Sequence, residues 1–345
     1  MGLILLFLLM GAVGNGTVNT EYVSSSYSGK EELAWKEIAA MNSIQKRKFY
    51  LSLTNNLPPV WSEINVHRTS GAIEDTIPSL PANEIIYLHY RQKVNGYQVK
   101  VEFKRSYDLE YGKAILYFSK KEHSFKVYCD AFSDEHLVVD GYPYRRIRNT
   151  INLSKVKLGK HIYLDYTKPK KEEYLSFSSP FYFKDMDYDG EEELVVNNIG
   201  MGAKNSNTYD VFKVFNVGQP LRLTGLPFKN DLFKISNYDM EYEPATQSII
   251  DNRYDGAWSY GHYRYKSIPA NGKDGLKRVF VMEDAEDIGF YHPKNGAASD
   301  SINLIQPYKR YKRVDGRLVL IERGVYESGN NGWNDNDIVL EKLSW

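Results

Sequence analysis

Ile85-Ile-Tyr-Leu-His-Tyr90 and Tyr97-Gln-Val-Lys-Val-Glu-Phe103 are the two runs that decide the fold class of this chain, and Asn95-Gly96 lies between them. Hydrophobic and polar residues alternate along the runs, which is the pattern of strands with one buried face. Asn-Gly is a preferred pair for the two-residue turn of a β-hairpin, because both positions need positive φ. The stretch therefore predicts an antiparallel hairpin.

The sequence that follows repeats this pattern. The chain has 28 tyrosines and 15 phenylalanines, and aromatic side chains favour strands. Short strand-like runs separated by turn residues are typical of sandwiches and propellers. We therefore predict a mainly β protein with an antiparallel propeller-like or sandwich domain over 84–345. The predicted strands after the hairpin are 114–118, 125–128, 161–166, 174–183, 193–197, 209–216, 232–236, 246–251, 260–267, 277–283, 308–313 and 317–325.

The segment before the strands predicts a short N-terminal helical segment. Leu33, Ile38, Met41 and Ile44 recur at helical spacing, and Glu31–Leu53 contains no Gly or Pro. We predict a helix over this stretch, because Pro58 and Pro59 follow it and disfavour its continuation.

The first residues are almost wholly apolar and end in small side chains. Residues 1–14 therefore predict a secretory signal peptide, and the stretch is too short for a comfortable transmembrane helix. Residues 15–83 are predicted to be a flexible lead-in, the helix and a Pro-rich connector. We expect an exported bacterial protein, periplasmic or secreted, without a transmembrane segment.

Composition excludes several classes of function. Lys and Arg total 44, as do Asp and Glu, so there is no charge surplus that would favour nucleic acid or an anionic membrane as a partner. Cys129 stands alone and cannot form an internal disulfide, so we expect a small buried strand residue. The chain has no Gly-x-Ser-x-Gly motif, and its seven histidines lack paired metal-ligand spacing. We therefore expect a protein that is not an enzyme.

Asp185-Met-Asp-Tyr-Asp-Gly-Glu-Glu-Glu193 carries the clearest chemical signal in the chain. It places six carboxylates in nine residues, and these repel one another unless a cation lies among them. Asp185, Asp187 and Asp189 occupy positions one, three and five of a calcium loop, and Gly190 at position six allows the sharp turn.

The second half of the loop completes the ligand pattern. Glu191 at position seven is expected to offer its backbone carbonyl, and Glu193 at position nine its carboxylate, directly or through water. An EF-hand needs a bidentate acid at position twelve, but this position is Val196 and lies in a predicted strand. We therefore predict a calcium loop of another kind, and the alternative is a solvated acidic hairpin with an Asp-Gly turn. The predicted metal ligands are Asp185, Asp187, Asp189, Glu191 and Glu193.

The loop resembles the Asp-x-Asp-x-Asp-Gly-x-x-Glu calcium loops between strands of integrin-like FG-GAP repeats. Further motifs follow it in the order Leu194-Val-Val-Asn-Asn198, Gly200-Met-Gly-Ala203, Tyr209-Asp-Val-Phe-Lys-Val-Phe215, Tyr263-Arg-Tyr-Lys266 and Tyr311 with Asp315-Gly-Arg-Leu-Val-Leu320. This order is similar to that of periplasmic bacterial proteins with a calcium-bound β domain that inhibit lysozyme-like effectors. The resemblance covers roughly residues 110 to 325. It implies a structural calcium and a protein partner, specifically a peptidoglycan hydrolase.

Two other features are candidates for binding. Trp258 and Trp333 lie in Gly-rich stretches and could face a partner or stack on sugar, or could be only loop anchors. Residues 330–337 are rich in Asn and Asp, which predicts a second, weaker ion site or an ordinary loop. The alternative function is therefore a carbohydrate-binding or cell-surface module with a structural calcium.

Overall fold

The structure is a computed structural model that describes residues 33, 35–57, 77–106, 111–138, 150–171, 174–176, 178–199, 207–216, 218–223, 234–236, 240–254, 259–270, 276–289, 291, 305–328 and 335–343. The predicted signal peptide and most of the predicted Pro-rich connector lie outside these residues. Among the described residues, no helix has the length and apolar character needed to cross a membrane.

The chain folds mainly into β-strands, as the alternating pattern predicted. The strands are β1 (Ile86–Tyr90), β2 (Gln98–Arg105), β3 (Tyr111–Lys120), β4 (His123–Ser133), β5 (Leu137–Val138), β6 (Ile151–Asn152), β7 (His161–Leu164), β8 (Phe181–Lys184), β9 (Glu193–Ile199), β10 (Asn207–Lys213), β11 (Leu221–Arg222), β12 (Lys234–Ser236), β13 (Met240–Glu243), β14 (Ser248–Tyr254), β15 (Ser259–Pro269), β16 (Arg278–Gly289), β17 (Ile305–Val314), β18 (Arg317–Ser328) and β19 (Asp335–Lys342).

These strands form two large sheets. The first sheet has ten strands in the order β11-β10-β9-β4-β3-β2-β1-β7, with β12 paired to β10 and β8 paired to β9. Its strand pairs are antiparallel except for β1 and β7, which run parallel. The second sheet is an antiparallel meander of seven strands, β13 to β19, in sequence order. The short strands β5 and β6 pair separately and parallel.

The predicted hairpin is confirmed at the turn between β1 and β2. Val94 and Tyr97 form a bridge, and the two residues between them both have positive φ, 48° for Asn95 and 80° for Gly96. This is the backbone conformation for which Asn-Gly is selected. The register Leu88↔Val101 then turns alternate residues of both strands toward one core.

Hydrophobic side chains pack between the two sheets, so the architecture is sandwich-like. One core cluster joins Tyr209 and Val211 of the first sheet with Tyr265 and Phe280 of the second. Both sheets have more strands than the four of a propeller blade. Of the two predicted architectures, the structure therefore shows the sandwich-like one.

The N-terminal segment forms two helices instead of the single predicted one. α1 (Trp35–Ala40) and α2 (Ser43–Asn55) are separated at Met41-Asn42. The break has a local cause, because Asn42 caps α2: its side chain accepts from the Gln45 amide, and the Gln45 side chain accepts from the Asn42 amide, both at 3.0 Å.

Helix α2 packs on the second sheet. Tyr50 and Leu53 are 1% and 2% exposed and belong to one cluster with Ile305 and Val325, which are fully buried. The helix therefore covers a face of the meander. The domain boundary that the sequence predicts at residue 84 stays a prediction.

Candidate cation site

The predicted calcium loop connects β8 to β9, two strands near the middle of the fold. Phe181 and Leu194 pack into a core cluster within the first sheet, whereas Tyr182 and Val195 pack into the cluster between the sheets. Because both faces of these strands are buried, the apolar run at the start of β9 is nearly continuous. The loop is consequently held at both ends by rigid, buried backbone.

The loop backbone turns sharply at Gly190, as the position of this glycine in the sequence predicted. Gly190 has φ of 84°, and Tyr188 also lies in the left-handed region with φ of 64°. A tyrosine is uncommon there, so the surroundings must hold it. The Tyr188 hydroxyl donates to the Ser248 carbonyl at 3.0 Å, which ties this part of the loop to the second sheet.

Carboxylates of the loop accept hydrogen bonds from its own amides. Asp185 accepts from the amides of Asp189 at 3.1 Å and Gly190 at 3.0 Å, and Asp189 accepts from the Glu191 amide at 2.8 Å. Glu193 Oε2 accepts from the Met186 amide at 2.7 Å. These bonds hold Asp185, Asp189 and Glu193 against the backbone of the loop itself.

The loop also joins the two sheets. Ser267 of β15 donates to the Asp187 carbonyl at 2.6 Å, and Lys277 lies 2.5 Å from Glu191 Oε1. Both partners belong to the second sheet or precede one of its strands. Together with the Tyr188 bond, these contacts make the loop a tie between the sheets.

A lysine that the sequence analysis missed lies in the centre of the acids. Lys213, the last residue of β10, has a side chain only 2% exposed. Its Nζ is 2.5 Å from Asp189 Oδ2 and 2.6 Å from Glu193 Oε1. It is also 3.7 Å from Asp187 Oδ2 and 3.8 Å from Glu191 Oε2.

Burial and charge shift the pKa values of this pair. Burial, and then the Asp187 carboxylate, raise the pKa of Glu193 to about 7, although hydrogen bonding to Lys213 acts in the opposite direction. Burial would lower the pKa of Lys213, but hydrogen bonds to Asp189 and Glu193 outweigh it and raise that pKa. The lysine therefore keeps its proton, and Glu193 gives up its own proton at a higher pH than an ordinary glutamate does.

Part of the predicted ligand set lies close enough together to hold a metal ion. One carboxylate oxygen each from Asp185, Asp187 and Glu193 lies within 4.8 Å of the others. Asp189 and the side chain of Glu191 face Lys213 and Lys277 instead. The donors are all oxygens, and they belong to a loop in which four acids lie within 4 Å of a single ammonium, that of Lys213. Such a donor set fits a hard cation.

A second group of candidate ligands lies on β4 and β10. Ligand atoms of Cys129, Asp130 and Asp210 lie within 4.8 Å of one another. The Asn198 amide nitrogen already bridges the two acids, at 2.8 Å from Asp130 and 2.6 Å from Asp210. Arg222 lies 3.8 Å from Asp210 and adds positive charge. This group is a hydrogen-bonded network, and Cys129 is buried in the core as predicted.

The other predicted binding features fall mostly outside the described residues. Trp258 and Trp333 both lie outside them, as do positions 330–334 of the predicted second ion site. The remaining positions of that site belong to β19, a strand that the sequence analysis did not predict. Within it, Asp337 accepts a hydrogen bond from the Tyr308 hydroxyl at 2.6 Å.

An aromatic ladder lies on neighbouring strands at one edge of the first sheet. The Tyr87 and His161 rings have centroids 4.7 Å apart, and the His89 and Tyr163 rings 5.0 Å apart, with interplanar angles of 17° and 22°. The Tyr163 residue is 59% exposed. Burial, and then His161 and Lys100, lower the pKa of His89.

Comparison with known proteins gives little further information. No protein-family model matches the sequence, and no curated protein matches it. Among solved structures, the chain is similar to the structure of a Xanthomonas type IV secretion system related protein, at 14% sequence identity and a TM-score of 0.35. The match covers 71% of this chain and 97% of that chain. Similarity of this degree identifies neither a family nor a function, so the residues themselves must carry any functional conclusion.

Proposed function

We propose that this protein is an exported, non-enzymatic binding protein whose two sheets are joined through a calcium-bound loop, and that it acts by contact with another protein. The observation that carries the proposal is the position of the loop. Two of its acids, Asp187 and Glu193, are buried, at 1% and 0% exposure. A catalytic metal keeps an open coordination position for substrate. Buried acids between two sheets support a structural role for the loop.

Calcium is the proposed ion because of the chemistry of the donors. Asp185, Asp187 and Glu193 would hold it, and the Glu191 carbonyl and Asp189 would complete the oxygen set that the loop spacing predicts. A bound calcium would supply positive charge only and would fix the geometry of the tie between the sheets.

Calcium binding can be tested without knowledge of a partner. Titration calorimetry of the chelator-treated protein should show binding of calcium and much weaker binding of magnesium, because magnesium demands a near-ideal octahedron of ligands. A melting temperature that is identical in calcium and in excess chelator would contradict the calcium site.

The proposed partner is a peptidoglycan hydrolase of the lysozyme type. This part of the proposal is supported by the sequence resemblance over roughly residues 110 to 325. Purified protein should form a complex with at least one enzyme of a lysozyme panel and reduce its rate of cell-wall lysis. Failure to bind any hydrolase of the panel would remove this partner and leave the calcium site unaffected.

The aromatic ladder favours a second candidate function, glycan binding. Exposed tyrosine rings combine an apolar face with a polar hydroxyl, which suits contact with a sugar ring. Tyr163→Ala should then weaken retention on insoluble peptidoglycan. Leu158→Ala is the matched control, because Leu158 is an exposed apolar residue, at 50%, without a ring. Equal retention of both variants and the wild type would exclude the ladder as a glycan site.

A further inference from the structure

We propose that Lys213 is a cation built into the acidic loop and that it competes with calcium for the same carboxylate oxygens, so that this residue sets the calcium affinity. The inference has two parts. The first, that the Lys213 ammonium holds the loop, rests on the geometry of Lys213 alone. The second, that Lys213 competes with calcium, rests on the proposed calcium site.

The position of the ammonium matches the centre of the predicted ligand set. Nζ contacts Asp189 at 2.5 Å and Glu193 at 2.6 Å, which are the acids at positions five and nine of the loop. It lies 3.7 Å from Asp187 at position three. One side chain thus reaches three of the acids that the spacing assigns to a metal ion.

Strand pairing explains how a residue so distant in sequence reaches the loop. Phe212 of β10 pairs with Leu194 of β9 in antiparallel register. The next residue outward on each strand is therefore Lys213 and Glu193, and both continue the face that carries Val211 and Val195. That face packs against the second sheet, which buries the lysine together with the acids.

Burial makes the lysine and the acids mutually dependent. A buried ammonium without partners would lose its proton or destabilise the structure around it. A buried carboxylate without partners would take up a proton or destabilise that structure in the same way. Here Lys213 is 2% exposed, and the side chains of Asp187 and Asp189 are 1% and 0% exposed. The loop consequently contains a neutralising cation whenever the sheets are folded.

Calcium and the ammonium cannot both use the shared oxygens fully. Calcium takes six to eight oxygen ligands, and its positive charge repels a neighbouring ammonium. Asp189 Oδ2 and Glu193 Oε1 are already in short contact with Nζ. Calcium must therefore draw these oxygens away from Lys213 or bind with fewer ligands, and either course weakens its binding.

The decisive experiment compares Lys213→Met with the wild type and with Lys277→Met. Lys277 contacts the same loop through Glu191, but its side chain is 55% exposed, so it controls for loss of one lysine charge. Calcium binding is measured by titration calorimetry after chelator treatment. Urea unfolding is measured in excess chelator and in saturating calcium.

Lys213→Met should bind calcium at least tenfold more tightly than the wild type, and Lys277→Met should bind it as the wild type does. In chelator, Lys213→Met should unfold at clearly lower urea than Lys277→Met, and calcium should restore most of the difference. Equal calcium affinity of Lys213→Met and the wild type would overturn competition while leaving the proposed calcium site intact.

The absence of calcium binding is a separate outcome. If neither the wild type nor Lys213→Met binds calcium, but Lys213→Met alone is destabilised in chelator, the resident ammonium is supported and the calcium site is contradicted. If Lys213→Met is as stable as Lys277→Met in chelator, the resident ammonium is overturned.

A second variant covers the case in which Lys213→Met does not fold. Asp189→Asn with Lys213→Met removes one charge of each sign and should recover folding in chelator. If this double variant also fails to fold while Asp189→Asn alone folds, lost packing explains the defect and the inference is overturned.

Discussion

Two groups of charged residues, one in each sheet, differ in how they are neutralised. In the second sheet, Glu286, Arg310, Glu322 and Lys342 are neighbours across β16 to β19, so acids and bases alternate. Arg310 lies 2.7 Å from Glu286 and 2.5 Å from Glu322, and Lys342 lies 3.4 Å from Glu322. We refer to these four residues as the charge ladder.

The acidic loop in the first sheet, in contrast, contains more acids than bases. Four acids lie within 4 Å of the Lys213 ammonium, and three of them, Asp187, Asp189 and Glu193, have side chains at most 1% exposed. The charge ladder contains two acids and two bases, and Lys342 is 72% exposed. Alternation across strands places each acid of the charge ladder beside a base, whereas the acids of a single loop depend on a cation supplied from elsewhere. Only the loop should therefore respond to calcium.

Calcium should change the stability of the acidic loop more than any of the substitutions considered below. Calcium at 100 times its dissociation constant should raise the free energy of unfolding of the wild type by about 2.7 kcal/mol, because it binds only the folded form. Asp187→Ala should abolish this gain, since it removes a central ligand. Urea unfolding in chelator and in calcium measures both values. Asp165→Ala, which removes an acid that is 58% exposed, should keep the full gain. An undiminished calcium response in Asp187→Ala would show that the loop is not the site.

The next effect concerns the charge ladder. Arg310→Met leaves Glu286 and Glu322, at 19% and 12% exposure, without their guanidinium partner. We expect a loss of about 2 kcal/mol, below the range for fully buried pairs because Arg310 is 32% exposed. The loss should be the same in calcium and in chelator. If calcium restored the stability of Arg310→Met, the charge ladder would depend on a metal ion as the acidic loop is proposed to do.

A smaller effect concerns the pH dependence of stability at His136, which is separate from the response to calcium. The hydrogen bond to the Asp134 carboxylate raises the pKa of His136 above its ordinary value of 6.5. A group with a raised pKa stabilises the folded state when it is protonated. This stabilisation is fully present below the ordinary pKa and is lost as pH rises through the folded value.

His136→Gln should therefore destabilise the protein more at pH 5.5 than at pH 8.5, by about 1 kcal/mol or less because solvent partly screens the pair. Urea unfolding at the two pH values measures the difference. A larger defect at pH 8.5 would mean that neutral His136 is the stabilising form.

The smallest effect belongs to the exposed pair beside the loop. Lys277 and Glu191 are 55% and 56% exposed. Lys277→Met should lower the free energy of unfolding only slightly, because surface ion pairs contribute little to stability. The defect should shrink in 1 M salt, where such pairs are screened. A defect as large as that of Lys213→Met would mean that burial does not distinguish the two lysines.

Much of the fold was predictable because its signals are local. The Asn95-Gly96 turn was predicted from two residues whose backbone preference few others share, and the structure confirms it. The helix was predicted in one piece because the spacing of Leu33, Ile38 and Ile44 does not show the cap at Asn42. β19 was missed because the Asn and Asp residues at its start resemble a loop.

The candidate site was predictable only in part, for a similar reason. The acids of the loop lie close together in the sequence, so their spacing is enough to predict a candidate cation site. Lys213 lies twenty residues beyond Glu193, and nothing in its own neighbourhood indicates its partner. Its role follows from the register of β9 and β10, which depends on the packing of both sheets.

From the amino-acid sequence alone it follows that this protein is mainly β and that an acidic loop with Gly190 at its turn joins two strands. These features follow from side-chain alternation, turn preference and charge repulsion, all of which act over a few residues. That the loop ties two sheets together and that Lys213 lies among its acids became visible in the folded structure alone. Both depend on which distant strands pair, and pairing is set by burial across the whole fold.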